Sequence, residues 1–130
     1  MKDNFSKQAA LYAQFRPTYP QELYDFILPI VPDLAIAWDC GTGNGQVAAE
    51  LAGYFEKVYA TDISIKQLSN AIQKANIIYS ITPAEQTSFP NKTFDLITVA
   101  QAIHWFDFEK FYSEVRRTLK PDGIIAVIGY

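Results

Sequence analysis

Residues 35–53 read AIAWDCGTGNGQVAAELAG, and Asp62 closes the next apolar run, KVYAT at 57–61. Leu34 to Trp38 is short and apolar, as expected of a strand buried on both faces, and Gly41, Gly43 and Gly45 interrupt it abruptly. From Asn44 onward Val47, Ala48, Leu51 and Ala52 recur at helical spacing, with Gly53 where a helix usually stops. The chain therefore turns from strand to helix over glycine. Glycine accepts positive φ in such a turn and lets a ligand approach bare backbone, while the amides that open the helix can donate. A phosphate-binding P-loop is excluded, because Gly45 is followed by Gln46 and Val47 instead of Lys-Ser/Thr. The dinucleotide pattern G-x-G-x-x-G fails as well: counted from Gly41, its third glycine falls on Gln46. What remains is D-x-G-x-G-x-G, with Asp39 at the strand tip. A carboxylate there repels a pyrophosphate and suits an ammonium or sulfonium group. Asp62 offers two acceptor oxygens to a pair of hydroxyls such as a ribose carries. Together these features point to a small adenosine-containing cofactor.

The surrounding composition fits one domain. The chain has 130 residues, 49% of them hydrophobic, enough for a core at ordinary domain size. Pro29, Pro32 and charged residues break the apolar runs before membrane-spanning length, and MKDNFSKQAA lacks the apolar centre of a signal peptide. A cytoplasmic location with no membrane partner is expected. Cys40 is the only cysteine, so no internal disulfide forms, and the residue reads as a small side chain tucked under the glycine turn. A net charge of −3, with no basic cluster beyond Arg116 and Arg117, argues against nucleic acid and for a small-molecule substrate. One histidine and one cysteine do not compose a transition-metal site, and no metal is expected.

Periodicity predicts helices over 5–15, 21–30, 44–53, 64–74 and 107–119, and strands over 34–38, 57–61, 76–80, 94–99 and 124–129. Ser64 reads as an N-cap, and Lys120-Pro121-Asp122-Gly123 as a turn leading into IIAVIG. This is a βαβ succession, an α/β class. Right-handed crossovers make the five strands parallel and put a ligand beyond their carboxyl ends, where Asp39, Asp62 and Gln101 fall.

DCGTGNG resembles the first motif of the class I S-adenosylmethionine-dependent methyltransferases. The likeness continues through KVYAT with Asp62, AEQTSFPNKTFDLITVAQAIHWFD at 84–107 and RRTLKPDGIIAVI at 116–128. FRPTYP at 15–20 and HWFD at 104–107 are similar to the methyltransferase type 11, trans-aconitate methyltransferase-like branch, which acts on small molecules. The resemblance implies a three-layer doubly wound Rossmann-like sheet in the order 3-2-1-4-5. It also implies a helical lid over 1–33, an S-adenosylmethionine-binding domain over 34–130, and S-adenosylmethionine as cofactor.

The same resemblance implies the roles of residues. Gly41 and Gly43 pack against the methionine part of the cofactor, Asp39 reaches its amino group, and Asp62 binds both ribose hydroxyls. Ile63 and Phe89 either cover the adenine faces or belong to the core. The family commonly has a polar side chain just before Ala-Glu, where this chain has Pro83. The Ala84 amide then donates to the ring, while Glu85 accepts from the exocyclic amine or faces solvent. Gln101 lies near the sulfonium end, chiefly through its backbone. Tyr12, Arg16 and Tyr19 resemble the lid that approaches the cofactor carboxylate or the substrate, and Tyr12, Tyr19 and Trp105 are candidates for cation–π contact with the sulfonium. His104 is the candidate catalytic residue, as a base or an orienting group, its alternative being a packed histidine that caps the fourth strand.

In one respect the chain departs from the family, which usually adds two strands after the fifth, whereas this sequence stops at Tyr130. IIAVIGY would then be an apolar edge strand, pointing either to a fragment of a longer protein or to a homodimer sharing that edge. A catalytically incomplete cofactor-binding module is the alternative function; a nicotinamide oxidoreductase is disfavoured by the glycine spacing and Asp39.

Overall fold

The computed structural model describes residues 19–129. In chain order the elements are helix α1 (Gln21–Ile27), a 3-10 turn (Leu28–Ile30), β1 (Ile36–Cys40), α2 (Gln46–Ala52), β2 (Lys57–Asp62), α3 (Ile65–Ser69), β3 (Ile77–Ile81), β4 (Phe94–Ala100), a second 3-10 turn (Ile103–Trp105), α4 (Phe108–Thr118) and β5 (Leu119–Ile128). The strands form one sheet in the order β3-β2-β1-β4-β5, every pair parallel, as expected.

Register sorts the side chains between two apolar layers. Ile77, Val58, Ala37, Leu96 and Ile124 stand side by side across the sheet. They pack on one face with Tyr24, Ile27 and Val31 from the α1 region and Val47, Ala48 and Leu51 from α2. One residue along, Tyr59, Trp38, Ile97 and Ile125 align on the opposite face, against Phe111 and Val115 of α4. β1 and β4 are central and covered on both sides, which explains why their sequences read as continuous apolar runs instead of alternating. Burying a side chain such as Leu51 contributes roughly 1.5–3 kcal/mol.

Most boundaries shift by a residue or two from the periodic reading, and four of the differences have a local reason. β1 starts at Ile36 because the Asp33 carboxylate takes the Leu34 amide (2.8 Å) and Asp95 takes the Ile36 amide (3.0 Å) before the ladder begins. α1 gives way to a 3-10 turn at Leu28–Ile30, because Pro29 has no N–H to continue the helix. Ser64 does cap α3, accepting from the Gln67 amide, but that helix stops at Ser69 rather than 74. Beyond it the Ile72 amide donates to Asn44 O (2.9 Å) and the Tyr79 hydroxyl to Ile72 O (2.5 Å), so tertiary contacts override helical propensity. Finally, Lys120 to Gly123 do not separate helix from strand. β5 already pairs at Leu119 with Phe94, and the step to Leu96 opposite Ile124 carries residues 120–123 as extra chain within the strand.

Because all strands run one way, Cys40, Asp62, Ile81, Ala100 and Ile128 end at the same side of the sheet. Among the described residues no helix is long and apolar enough to cross a membrane.

Candidate functional site

The turn from β1 to α2 runs through three left-handed glycines, with φ of +62° at Gly41, +59° at Gly43 and +82° at Gly45. Its frame is hydrogen-bonded: the Thr42 amide donates to Thr61 O (2.9 Å) and the Gly45 amide to Thr42 O (3.0 Å). Packing leaves no room for a side chain at Gly45, where a Cβ would collide with the Tyr79 hydroxyl. At Gly43 the neighbourhood is open, the nearest atom to an added Cβ being Gln67 Oε1 at 3.7 Å. Such bare, open backbone is a cradle for a ligand.

Two carboxylates flank the turn. Asp39 is 1% exposed; its Oδ2 accepts from Thr42 Oγ1 (2.7 Å) and its Oδ1 from Thr98 Oγ1 (2.8 Å), so it binds β1 both to its own turn and to β4. Asp62, half-buried at the end of β2, accepts from the Gly43 amide through Oδ2 and from the Ser64 amide through Oδ1, both at 2.9 Å. A carboxylate has about four lone-pair directions. Holding the turn uses two of those at Asp62, and the remaining ones suit two hydroxyl donors.

At the end of β4, Gln101 adopts φ +62°, a conformation uncommon outside glycine, with its amide fixed to Ile128 O (2.9 Å). Its Nε2 is buried without an acceptor, and Gln46 Oε1, at the start of α2, is buried without a donor. Orphaned buried polar atoms are costly and rare in finished structures, and they mark places where a ligand or water completes the bonding. Tyr19, Asp39, Gly41, Gln46 and Ala100 share a small cavity of about 20 Å³, enough for roughly one water-sized group. Open backbone, two acidic strand ends and unmatched donors and acceptors fit the adenosine cofactor expected from the sequence.

Other expected site residues are distributed less evenly. Ala84 is buried, and Ile63, next to Asp62, is 66% exposed. Glu85 is half-buried, and its Oε2 accepts from the Asp107 amide (3.1 Å) before α4. Phe89 is partly buried and packs against the core. It meets Trp38, Tyr59 and Phe94 edge-on, with ring centroids 5.1, 5.2 and 5.0 Å away. His104 lies in the 3-10 turn after β4, and Trp105 beside it is 65% exposed. Tyr12 and Arg16 lie outside the described residues. Sequence reasoning passed over Thr98, whose only signal was a hydroxyl in the apolar run FDLITVA, and Gln46, noticed only as a departure from other motifs.

Electrostatics separate structural from reactive groups. Burial first, and then the Asp39 carboxylate, pushes the Cys40 thiol well above its ordinary value, so the thiol stays protonated and inert. The same two causes push the Tyr79 phenol up to about 12, keeping it a donor. A larger cleft of about 390 Å³ opens at the other end of the sheet, between Pro32, Lys92 and Pro121. There the buried Asp95 is already engaged by the Ile36 amide and by Lys120 Nζ at 2.9 Å, and no strand carboxyl end faces it.

Residues 38–127 match the family model described as a methyltransferase domain. A Dictyostelium discoideum protein carrying a provisional methyltransferase name is 41% identical over 131 residues, covering 98% of this chain and 49% of that protein. An uncharacterized methyltransferase of Mycobacterium bovis is 28% identical over 130 residues, 98% of this chain and 52% of its own length. Among solved structures, a type II methyltransferase, also provisionally named, from Anaeromyxobacter dehalogenans superposes with a TM-score of 0.84 at 38% identity, over 89% of this chain and 49% of that one. The chain spans about half the length of the curated relatives it matches.

Proposed function

We propose, on the premise that this chain belongs to the class I S-adenosylmethionine-dependent methyltransferases and takes S-adenosylmethionine as its cofactor, that it is the cofactor-binding part of an enzyme that methylates a small molecule. The observation that carries this reading is the meeting of Asp39, Asp62 and Gln101 at neighbouring strand ends around an open glycine turn. When bound, the cofactor supplies an electrophilic methyl group on a cationic sulfur.

Each residue then has a bounded task. Asp62 holds the two ribose hydroxyls with the lone pairs left over from Gly43 and Ser64. Asp39, fixed by two threonine hydroxyls, presents negative charge to the ammonium and sulfonium end. Ala84 and Ile63 border the adenine, and the methionine part lies against the turn at Gly41 and Gly43, where Gly43 is open on its bare side and Gly41 leaves room for Ala102. Gln101 stands where donor and acceptor meet, and His104 orients or deprotonates the acceptor. Little acid–base chemistry is required of any side chain, because alignment of nucleophile and methyl group in a dry pocket supplies most of the rate.

Calorimetry with S-adenosylhomocysteine tests the binding half. A methyl-transfer assay on the longer protein, run over carboxylate, hydroxyl and amine acceptors, tests the catalytic half. Absence of binding sinks the proposal; binding without turnover on any small acceptor supports a module that holds the cofactor without its own catalysis.

A further inference from the structure

We infer that Gln46 is a second acceptor for the cofactor's ammonium group, and so a residue that selects ligands carrying an intact amino-acid end. The inference rests on the cofactor reading above. Gln46 lines the small cavity that Asp39, Tyr19 and Ala100 also line, and its Oε1 is buried with no donor. An unmatched amide oxygen beside a carboxylate asks for a group that is small, rich in donors and positively charged. An ammonium carries three N–H donors and no acceptor, whereas a carboxylate would bring only acceptors to a place already supplied with them. The cavity, about 20 Å³, is of the size of one such group. Asp39 Oδ1 and Oδ2 already accept from Thr98 and Thr42, which fixes the direction of the charge, and Gln46 adds a neutral acceptor to the same cavity from the first position of α2. Sequence spacing alone hides this, because position 46 is where a dinucleotide fingerprint would have had glycine.

The test compares two ligands by calorimetry: S-adenosylhomocysteine, with the amino-acid end, and 5′-methylthioadenosine, which keeps nucleoside and thioether but lacks it. In the unaltered protein S-adenosylhomocysteine binds more tightly. Gln46→Leu and Gln46→Met remove the amide at nearly constant size, and urea denaturation identifies which variant is folded. In either folded variant S-adenosylhomocysteine is expected to bind about tenfold more weakly, with 5′-methylthioadenosine unchanged, while Gln46→Glu, which keeps an acceptor, preserves the preference. An unchanged ratio of the two affinities overturns the inference, as does equal weakening of both ligands. If the unaltered protein binds neither ligand, the cofactor reading itself fails and takes this assignment with it.

Discussion

Replacing Asp62 by alanine separates the two tasks placed on one carboxylate. The Oδ2 and Oδ1 atoms each accept a backbone amide at 2.9 Å, from Gly43 and Ser64. Removing both leaves two amides that water reaches only in part, since the residue is half-buried; the expected loss of folding stability is about 1–3 kcal/mol. Affinity falls further. Two ribose hydroxyls each lose a charged acceptor, and at about 1.5–3 kcal/mol per bond the sum is roughly 3–6 kcal/mol. At about 1.4 kcal/mol per decade, S-adenosylhomocysteine should bind Asp62→Ala at least a hundredfold more weakly. Asp62→Asn keeps one oxygen but turns an NH₂ toward either the Gly43 or the Ser64 amide, donor against donor, and should fall between the two. Calorimetry gives the affinities, and urea denaturation followed by tryptophan fluorescence gives the stabilities. A folded Asp62→Ala protein whose affinity stays within about threefold of the original would refute the reasoning, because bonds of that strength cannot vanish at so small a cost.

Three further outcomes follow from the packing. Gly45→Ala should cost about 1–2 kcal/mol for its left-handed backbone and about 1 kcal/mol more as the Tyr79 hydroxyl is driven from Ile72 O. In Gly45→Ala, Tyr79→Phe the costs should fail to add, and strict additivity in urea denaturation would show that the two groups do not meet. The Arg117 guanidinium first, and then the Thr87 hydroxyl and amide, lower the Glu114 carboxyl from 4.5 to about 2. Its folded value is depressed, so its stabilisation is complete above about pH 4.5 and disappears as pH falls toward 2. The gap in urea midpoint between the protein and Glu114→Gln should close over that window; a gap constant from pH 6 to 2 contradicts the pairing. Lys120→Met strands the buried Asp95 carboxylate with only the Ile36 amide and should cost about 1–3 kcal/mol, part of it recovered in Asp95→Asn, Lys120→Met. No recovery in the double variant would mean that the lysine acts through something other than that charge.

How far the sequence carries depends on how local the determining physics is. DCGTGNG announced its strand, turn and helix because glycine conformation and strand burial act within a few residues, and Asp62 was visible as an acid closing an apolar run. Ser64 was visible as a cap for the same reason. The early end of α3 was not, since it depends on Asn44 and Tyr79 reaching residues 70–74 from other elements. Phe89 offered two equal readings in sequence, and its packing among three rings comes from β1, β2 and β4, which no local pattern reveals. Glu85 could not be assigned to the Asp107 amide without knowing that the loop after β3 returns to the start of α4. The orphaned atoms of Gln46 and Gln101 have no sequence signature at all, because being unmatched is a property of the assembled interior.

The bond from Thr98 to Asp39 joins positions 59 apart in the chain. It forms only once β4 has inserted beside β1, after the whole β2-to-β3 excursion has been traversed and a long loop closed. Assembly through such distant pairings is slow compared with helical bundles of similar size. A molecule that recognises only the completed cleft therefore finds nothing to grip on the way up the folding barrier. Its presence should leave the refolding rate alone and lengthen the lifetime of the native state, so that ligand protection is felt almost wholly as slower unfolding.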